Sequence, residues 1–206
     1  MNAKVLKRFV IYMAILTFVM FTVWALVRSF MNRPPGDYET EVCDMRLKDK
    51  LYDKAIQAAN TALEKTPNHR GAIMCKALVF ISQRMYLEAN EELNYLINFL
   101  EKNLKDDDPT GIGTLAAAYA NRGIIKDRQE NYDEALEDYL KAIKIDEEAI
   151  GGPGFGTVIL NYKFKSSSVK KRAIYIYEQL QLPENDRVLK IKELDEGQVM
   201  HKPGKL

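Results

Sequence analysis

Apolar side chains are distributed along this chain in two ways. From Phe9 to Val27, nineteen residues run without a charge (FVIYMAILTFVMFTVWALV). After Gly36 the apolar positions instead recur every three or four residues, with charged residues between them. The first pattern predicts a helix that is apolar on every face. At ~1.5 Å per residue its length nearly matches the ~30 Å hydrocarbon core of a bilayer. Thr17 and Thr22 can return their hydroxyls to the helix backbone, and Trp24 suits the membrane interface. The alternative is a cleaved signal peptide. Its apolar region is usually shorter, about 7–15 residues, and its best cleavage point here, Val27-Arg28-Ser29, is poor. Residues 1–30 are therefore expected to be a short tip followed by a single transmembrane anchor, spanning about residues 9–30.

Lys4, Lys7, Arg8 and the amino terminus precede the span, against Arg28 and Arg33 after it. The positive-inside tendency then puts the N-terminus in the cytoplasm and everything C-terminal on the far side, which in a bacterium is the periplasm. Residues 31–37, with Pro34 and Pro35, predict a stiff linker that stops the anchor helix. Asp37 is expected to cap the next helix.

The second pattern repeats. Tyr52, Ala55, Ala59 and Ala62 recur as Tyr86, Ala89, Leu93 and Leu96, and again as Tyr132, Ala135, Tyr139 and Ala142. Ala55 to Ala89 is 34 residues, and Ala89 to Ala135 is 46, or one 34-residue period with 12 residues inserted. Residues 116–149, with Tyr119, Gly123, Tyr132, Ala135, Tyr139 and Ala142, resemble one tetratricopeptide repeat from end to end. Two departures are Arg122, where that family usually has Leu, and Glu147, where a Pro would fall. Further copies are expected at 36–69, ending in Pro67, and at 70–103. The resemblance implies an all-α fold: a transmembrane helix, a short right-handed solenoid of helix pairs over 36–149, and a C-terminal capping segment. Small residues let the two helices of a unit approach, here Ala55, Ala77, Ala89, Gly123 and Ala135, with Tyr139 filling the packed face beside them. No pair can bury its apolar stripes alone, so neighbours must stack.

The insertion lies in Asn103–Leu115. Asp108-Pro109 reads as an N-cap followed by proline in the first turn, and the helix before it is expected to run through about Leu104. Asp106, Asp107 and Asp108 lack the spaced ligands of a calcium loop and read as a solvated loop with a cap. Residues 151–156, GGPGFG, have no GxxxxGK[ST] pattern and read as a flexible break. Ala173, Tyr177 and Leu180 suggest a degenerate fourth repeat within 150–196, although TVILNYKF equally suits an extended arm. A helix over about Asp186–Glu196 is expected to cover the last apolar face, ahead of a frayed tail at 197–206.

Charge changes this picture little. The net charge is +1, but Lys4, Lys7, Arg8 and Arg28 all precede residue 31, leaving 26 basic against 29 acidic side chains, net −3, in the remainder. A mildly acidic body argues against nucleic-acid binding. Lys163, Lys165, Lys170, Lys171 and Arg172 form a basic cluster, read first as solvated helix surface, with a lipid-headgroup contact or an acidic partner as alternatives. Cys43 and Cys75, too few for a disulfide framework and without CxxC or His neighbours, read as buried thiols, with a disulfide as the lesser alternative.

No residue pattern suggests catalysis. His69 and His201 have no Cys, Ser or carboxylate arrangement around them that resembles a triad or metal site. Glu134, Glu137 and Asp138 read as solvated helix surface. Neither enzymatic activity, a cofactor, a metal nor a small-molecule substrate is expected. The tetratricopeptide resemblance implies a protein- or peptide-binding groove lined by the first helix of each pair. Its positions fall on Thr40, Asp44 and Leu47, on Met74, Leu78 and Ile81, and on Ala120, Ile124, Asp127 and Arg128. Val158, Tyr162 and Lys165 follow if a fourth repeat exists. The basic and amide set with which some relatives clamp a terminal carboxylate is missing, since Asp44 and Cys75 stand where it would lie. Met74, Leu78 and Ile81 either meet a partner or pack against the chain's own insertion or C-terminal segment. The expected function is a membrane-tethered adaptor or scaffold that binds client proteins, as in chaperoning or assembly of membrane complexes. The alternative is an accessory subunit of a membrane complex, held by its span, with the groove self-covered.

Overall fold

The computed structural model describes residues 3–31, 33–146, 169–191 and 200. The uninterrupted apolar run forms helix α1, Ala3–Met31. Its stretch Ala3–Arg28 is long and apolar enough to cross a bilayer and has none of its surface buried by the rest of the chain. Thr17 and Thr22 donate to the carbonyls of Met13 and Val19, both at 2.8 Å, so neither hydroxyl adds an unpaired polar group to the apolar face.

Six helices follow as three hairpins: α2 (Asp37–Lys48) with α3 (Tyr52–Lys65), α4 (Arg70–Ser82) with α5 (Tyr86–Asn103), and α6 (Pro109–Arg128) with α7 (Tyr132–Ile145). Each helix packs most extensively on its hairpin partner, and α2, α4 and α6 also touch along the array. The three turns within the hairpins share one backbone geometry. Lys50, Arg84 and Glu130 all have positive φ, at 58°, 61° and 66°. In each turn the next amide reaches five residues back to the preceding helix: Leu51 to Arg46, Met85 to Phe80, and Asn131 to Lys126, each at 2.9 Å. This is the Schellman closure that satisfies carbonyls at a helix end. The left-handed residues lie 34 and 46 positions apart, so the backbone repeats with the same spacing as the alanines.

Small residues set how closely the pairs approach. Ala55, Ala77, Ala89 and Ala135 are fully buried, as is the larger Tyr139. A Cβ on Gly123 would lie 2.6 Å from two ring carbons of Tyr139 and 3.2 Å from the Ala135 carbonyl. No side chain fits there.

The array starts differently from the sequence expectation. Asp37 is the first residue of α2 and not its cap. Gly36 occupies the capping position at φ 96°, and Asp37 Oδ1 instead meets His69 Nε2 at 2.9 Å. His69 in turn caps α4, its Nδ1 accepting from the Ala72 amide at 3.2 Å. One imidazole therefore ties the linker end of the first hairpin to the start of the second.

Cys43 and Cys75 form a disulfide between α2 and α4, with Cα atoms 6.4 Å apart. This corrects the expectation of buried thiols. Cys43 holds the small crossing position of the first hairpin, equivalent to Ala77 and Gly123. The stacking of adjacent first helices brings Cys75 against it, amid Ala55, Ala59 and Val79.

The insertion is short in space. The helix before it ends at Asn103, and Asp108 Oδ1 accepts the Gly111 amide at 2.7 Å to start α6. Asp108 also pairs with Arg70 of α4. After the residues that are not described, α8 (Val169–Leu180) packs on α7. The helix expected from about Asp186 begins instead as a single 3-10 turn, Glu184–Asp186, and residues 187–191 are not helical. Their polar groups are taken up locally. Gln179 Oε1 accepts the Val188 amide at 2.7 Å, and Arg187 donates to the carbonyls of Leu180 and Leu182, so bonds that would continue a helix go elsewhere. The expected break at 151–156 and the first half of a fourth repeat lie outside the described residues.

Two stability predictions follow from this packing. Gly123→Ala should cost about 1–3 kcal/mol through overpacking against Tyr139, read from chemical denaturation followed by circular dichroism. The Asp108 carboxyl is held below its ordinary range, first by the Gly111 amide and then by Arg70. A carboxyl lowered in the folded state contributes stability that is present above its unfolded pKa, about 3.9, and is lost as pH falls through the folded value. Asp108→Asn should therefore flatten the loss of stability between about pH 5 and pH 2. An unchanged acid limb would show that this carboxylate contributes nothing to folding.

Candidate functional site

The first-helix positions that would line a groove divide into two sets. Met74, Leu78 and Ile81 of α4 and Ala120 and Ile124 of α6 are buried within one continuous core. Met74 is only 1% exposed, and its sulfur accepts from Asn121 Nδ2 at 3.5 Å. These five side chains hold the array together and offer no open contact. Thr40 is also taken up internally, donating to the Gly36 carbonyl at 2.9 Å. Asp44 and Leu47 at one end, and Arg128 at the other, remain half-buried. Val158, Tyr162 and Lys165 lie outside the described residues.

Asp127 differs most from the sequence expectation. Its carboxylate receives Arg172 of α8 through two bonds, Nε to Oδ2 at 2.8 Å and Nη2 to Oδ1 at 2.7 Å, and Tyr139 donates to Oδ2 at 3.0 Å. Both charged side chains are 2% exposed. Arg172 also donates to the Leu189 carbonyl at 3.0 Å, fastening the segment after α8. Removing one partner of such a pair leaves the other charge buried and costs several kcal/mol, about 3–5. Asp127 is thus a fastening for the C-terminal segment. Leu189 and Met200 pack on the same core, and the Ser82 hydroxyl faces the Met200 sulfur at 4.0 Å. Of the basic cluster, Arg172 is buried and not solvated surface.

A second buried ion pair lies on α7. Asp138, expected on the solvated face, is 1% exposed. Arg122 grips it at 2.8 and 2.7 Å and also donates to Asn94 of α5 at 2.7 Å, while Lys126 reaches the same carboxylate at 3.0 Å. The Asp138 hydrogen bonds push the Arg122 pKa above its ordinary value. The guanidinium sits 5.1 Å over the ring of Tyr119, whose hydroxyl bonds Glu101. Burial and that contact push the Tyr119 pKa up to about 12. Arg122 stands where the family pattern has an apolar residue, and Asp138 sixteen positions on is its compensation. The two unusual residues, read together, were the available signal.

What stays open is a cleft of about 430 Å³ at the turn end of the second and third hairpins. Met200 supplies apolar wall with the buried Ile81 at its base, Tyr86 and Tyr132 supply rings, and Arg84 and Arg128 bring guanidinium groups. Its acids are compensated: Asp127 by Arg172, and Glu130 by Lys190 from the C-terminal segment. Of the expected groove residues, Ile81, Asp127 and Arg128 reach this cleft. Arg84, Tyr86 and Tyr132 were not foreseen as site residues, because they sit at the hairpin turns and only stacking brings them together. Among the described residues no group of three or more His, Cys, Asp or Glu side chains is placed to hold a metal ion.

Comparison with known proteins agrees with this architecture. Residues 116–148, which cover α6 from Ala116 onward, the whole of α7 and its end, match the tetratricopeptide repeat family model. The chain is 30% identical over 109 residues to DnaJ homolog subfamily C member 7 from Homo sapiens, a match covering 50% of this chain and 22% of that protein. The Mus musculus protein of the same name matches with the same identity and coverage. The match thus spans about a fifth of the length of these curated relatives. Residues 116–148 thus form a tetratricopeptide repeat, and the two preceding helix hairpins repeat its architecture.

Proposed function

We propose that this chain is a membrane-tethered adaptor that holds partner proteins at the bilayer from the non-cytoplasmic side. Repeats of this family serve protein–protein interaction, and the relatives support that coarser role. The observation that carries the finer reading is the Cys43–Cys75 disulfide. Disulfides persist in oxidising compartments and are rare in the cytosol. That agrees with the charge bias across α1, which favours a cytoplasmic N-terminus. Two independent features therefore support the same placement of the repeats. The partner-facing surface is the cleft around Arg84, Tyr86, Arg128 and Tyr132, because the apolar middle of the first-helix face is buried. Holding clients during assembly of membrane complexes is the role such a tether suits.

A second reading is favoured by the Asp127–Arg172 fastening and by Met200 on the core. In it the chain is an accessory subunit whose span packs on other transmembrane helices and whose groove is filled by its own C-terminal segment.

Two measurements test these readings. Thiols trapped by alkylation before lysis should leave Cys43 and Cys75 disulfide-linked on a non-reducing gel. Full alkylation of both would overturn the far-side placement. A photoreactive amino acid in place of Tyr132 should yield discrete protein adducts in intact membranes, while one in place of Lys102, exposed on α5, should not. Adducts that survive exchange of the span for an unrelated apolar helix support the adaptor. Adducts that vanish on exchange support the accessory subunit, and none at all overturns the cleft as a partner surface.

A further inference from the structure

We propose that the cleft at the turn end of the second and third hairpins takes an acidic peptide, with Arg84 and Arg128 as its two carboxylate-binding groups. This deepens the adaptor reading and rests on it. The argument is one of charge left over after internal pairing. Five charged side chains line the cleft among the described residues. Asp127 is consumed by Arg172 and Tyr139, and Glu130 is paired with Lys190. Arg84 and Arg128 make no ion pair or side-chain hydrogen bond among the described residues. The cleft therefore presents two uncompensated guanidinium groups against an otherwise neutral lining.

Their setting favours a peptide over a free ion. At about 430 Å³ the space admits several side chains of an extended chain. Met200 and the rings of Tyr86 and Tyr132 offer an apolar surface beside the arginines. A ligand that alternates carboxylate and aliphatic side chains satisfies both kinds of wall at once. The planar guanidinium pairs with a carboxylate through two parallel hydrogen bonds and is more weakly hydrated than an ammonium group, so it is the better donor in a partly enclosed site. Arg84 also occupies a left-handed position, φ 61°, where a residue without a side chain would be less strained. A basic peptide would meet two unpaired positive charges, and a neutral one would desolvate them without compensation.

The test uses the full chain in lipid nanodiscs and a fluorescein-labelled peptide of alternating Glu and Leu, followed by anisotropy. Saturable binding is expected that weakens as salt is raised. Combining Arg84→Glu with Arg128→Glu should weaken it by about tenfold or more. The milder pair Arg84→Gln and Arg128→Gln should lie between these, and Lys54→Glu, in a separate cleft on the first hairpin, should leave it unchanged. The same peptide with Gln for Glu should not bind. Circular dichroism and the intact Cys43–Cys75 disulfide check that each variant is folded. Equal binding of the Gln peptide, or full binding by a folded double charge-reversal variant, overturns the inference. Peptide failure alongside persistent Tyr132 adducts rejects the acidic chemistry alone, whereas loss of both rejects the adaptor reading with it.

Discussion

Two helices approach to the usual 8–10 Å or so only where the side chains between them are small, and the architecture of this chain depends on that condition being met once per hairpin. Cys43, Ala77 and Gly123 occupy the equivalent crossing position on the first helix of each pair, with Ala55, Ala89 and Ala135 on the second. Gly123 is the tightest, with Tyr139 and the Ala135 carbonyl lying where a Cβ would go. Close approach within each hairpin leaves an apolar flank on either side, and the next hairpin has to cover it. The core running from Ile73 of α4 through α5, α6 and α7 to Ile176 of α8, and a smaller cluster around the disulfide in the first hairpin, are the result.

An array built this way has two ends to close, and the chain closes them by different chemistry. At the N-terminal end, the Cys43–Cys75 bond and the His69 cap tie the first hairpin to the second through one covalent link and two polar contacts. Such a cross-link acts mainly by limiting the unfolded chain, an effect typically worth about 2–4 kcal/mol. At the other end α8 covers α7, and the buried Asp127–Arg172 pair fixes its orientation. A buried pair adds little net stability compared with apolar packing, but breaking it is expensive. It therefore serves better to impose one docking geometry for α8 than to strengthen the fold. The same pair consumes an acid that the family resemblance would have placed in an open groove.

Legibility in the sequence followed the range of the interactions involved. The long apolar helix, the hairpin alternation and the small crossing residues are local or periodic, so the uncharged run carried the first and the alanine spacing the other two. The Schellman turns at Lys50, Arg84 and Glu130 obey the same spacing but without glycine, so composition hid them. The disulfide and the ion pairs were harder, because each joins residues on different helices. Asp138 looked like solvated surface because its helix neighbours Glu134 and Glu137 are acidic. The pairing with Arg122 and Lys126, across the hairpin, makes its burial sensible. Met74, Leu78 and Ile81 were readable as apolar, yet their burial depends on the neighbouring hairpin that stacks on them, which no single helix pattern reveals.

The distribution of charge now separates structure from recognition within one surface. Along the first-helix face, the carboxylates of Asp108, Asp127 and Glu130 each have a basic partner from another element, respectively Arg70, Arg172 and Lys190. Each of those pairs joins segments that the backbone alone would leave independent, so they belong to the fold. Arg84 and Arg128 fasten nothing among the described residues and face the one cleft where the hairpin turns and the C-terminal segment converge. An exposed cation on a helix turn is ordinary by itself. Two of them beside an apolar wall, where every neighbouring acid is already consumed, create a site whose electrostatics only an incoming anion completes. The segment that fastens Asp127 through Arg172 also brings Lys190 to Glu130, and so leaves the two arginines uncompensated in the cleft.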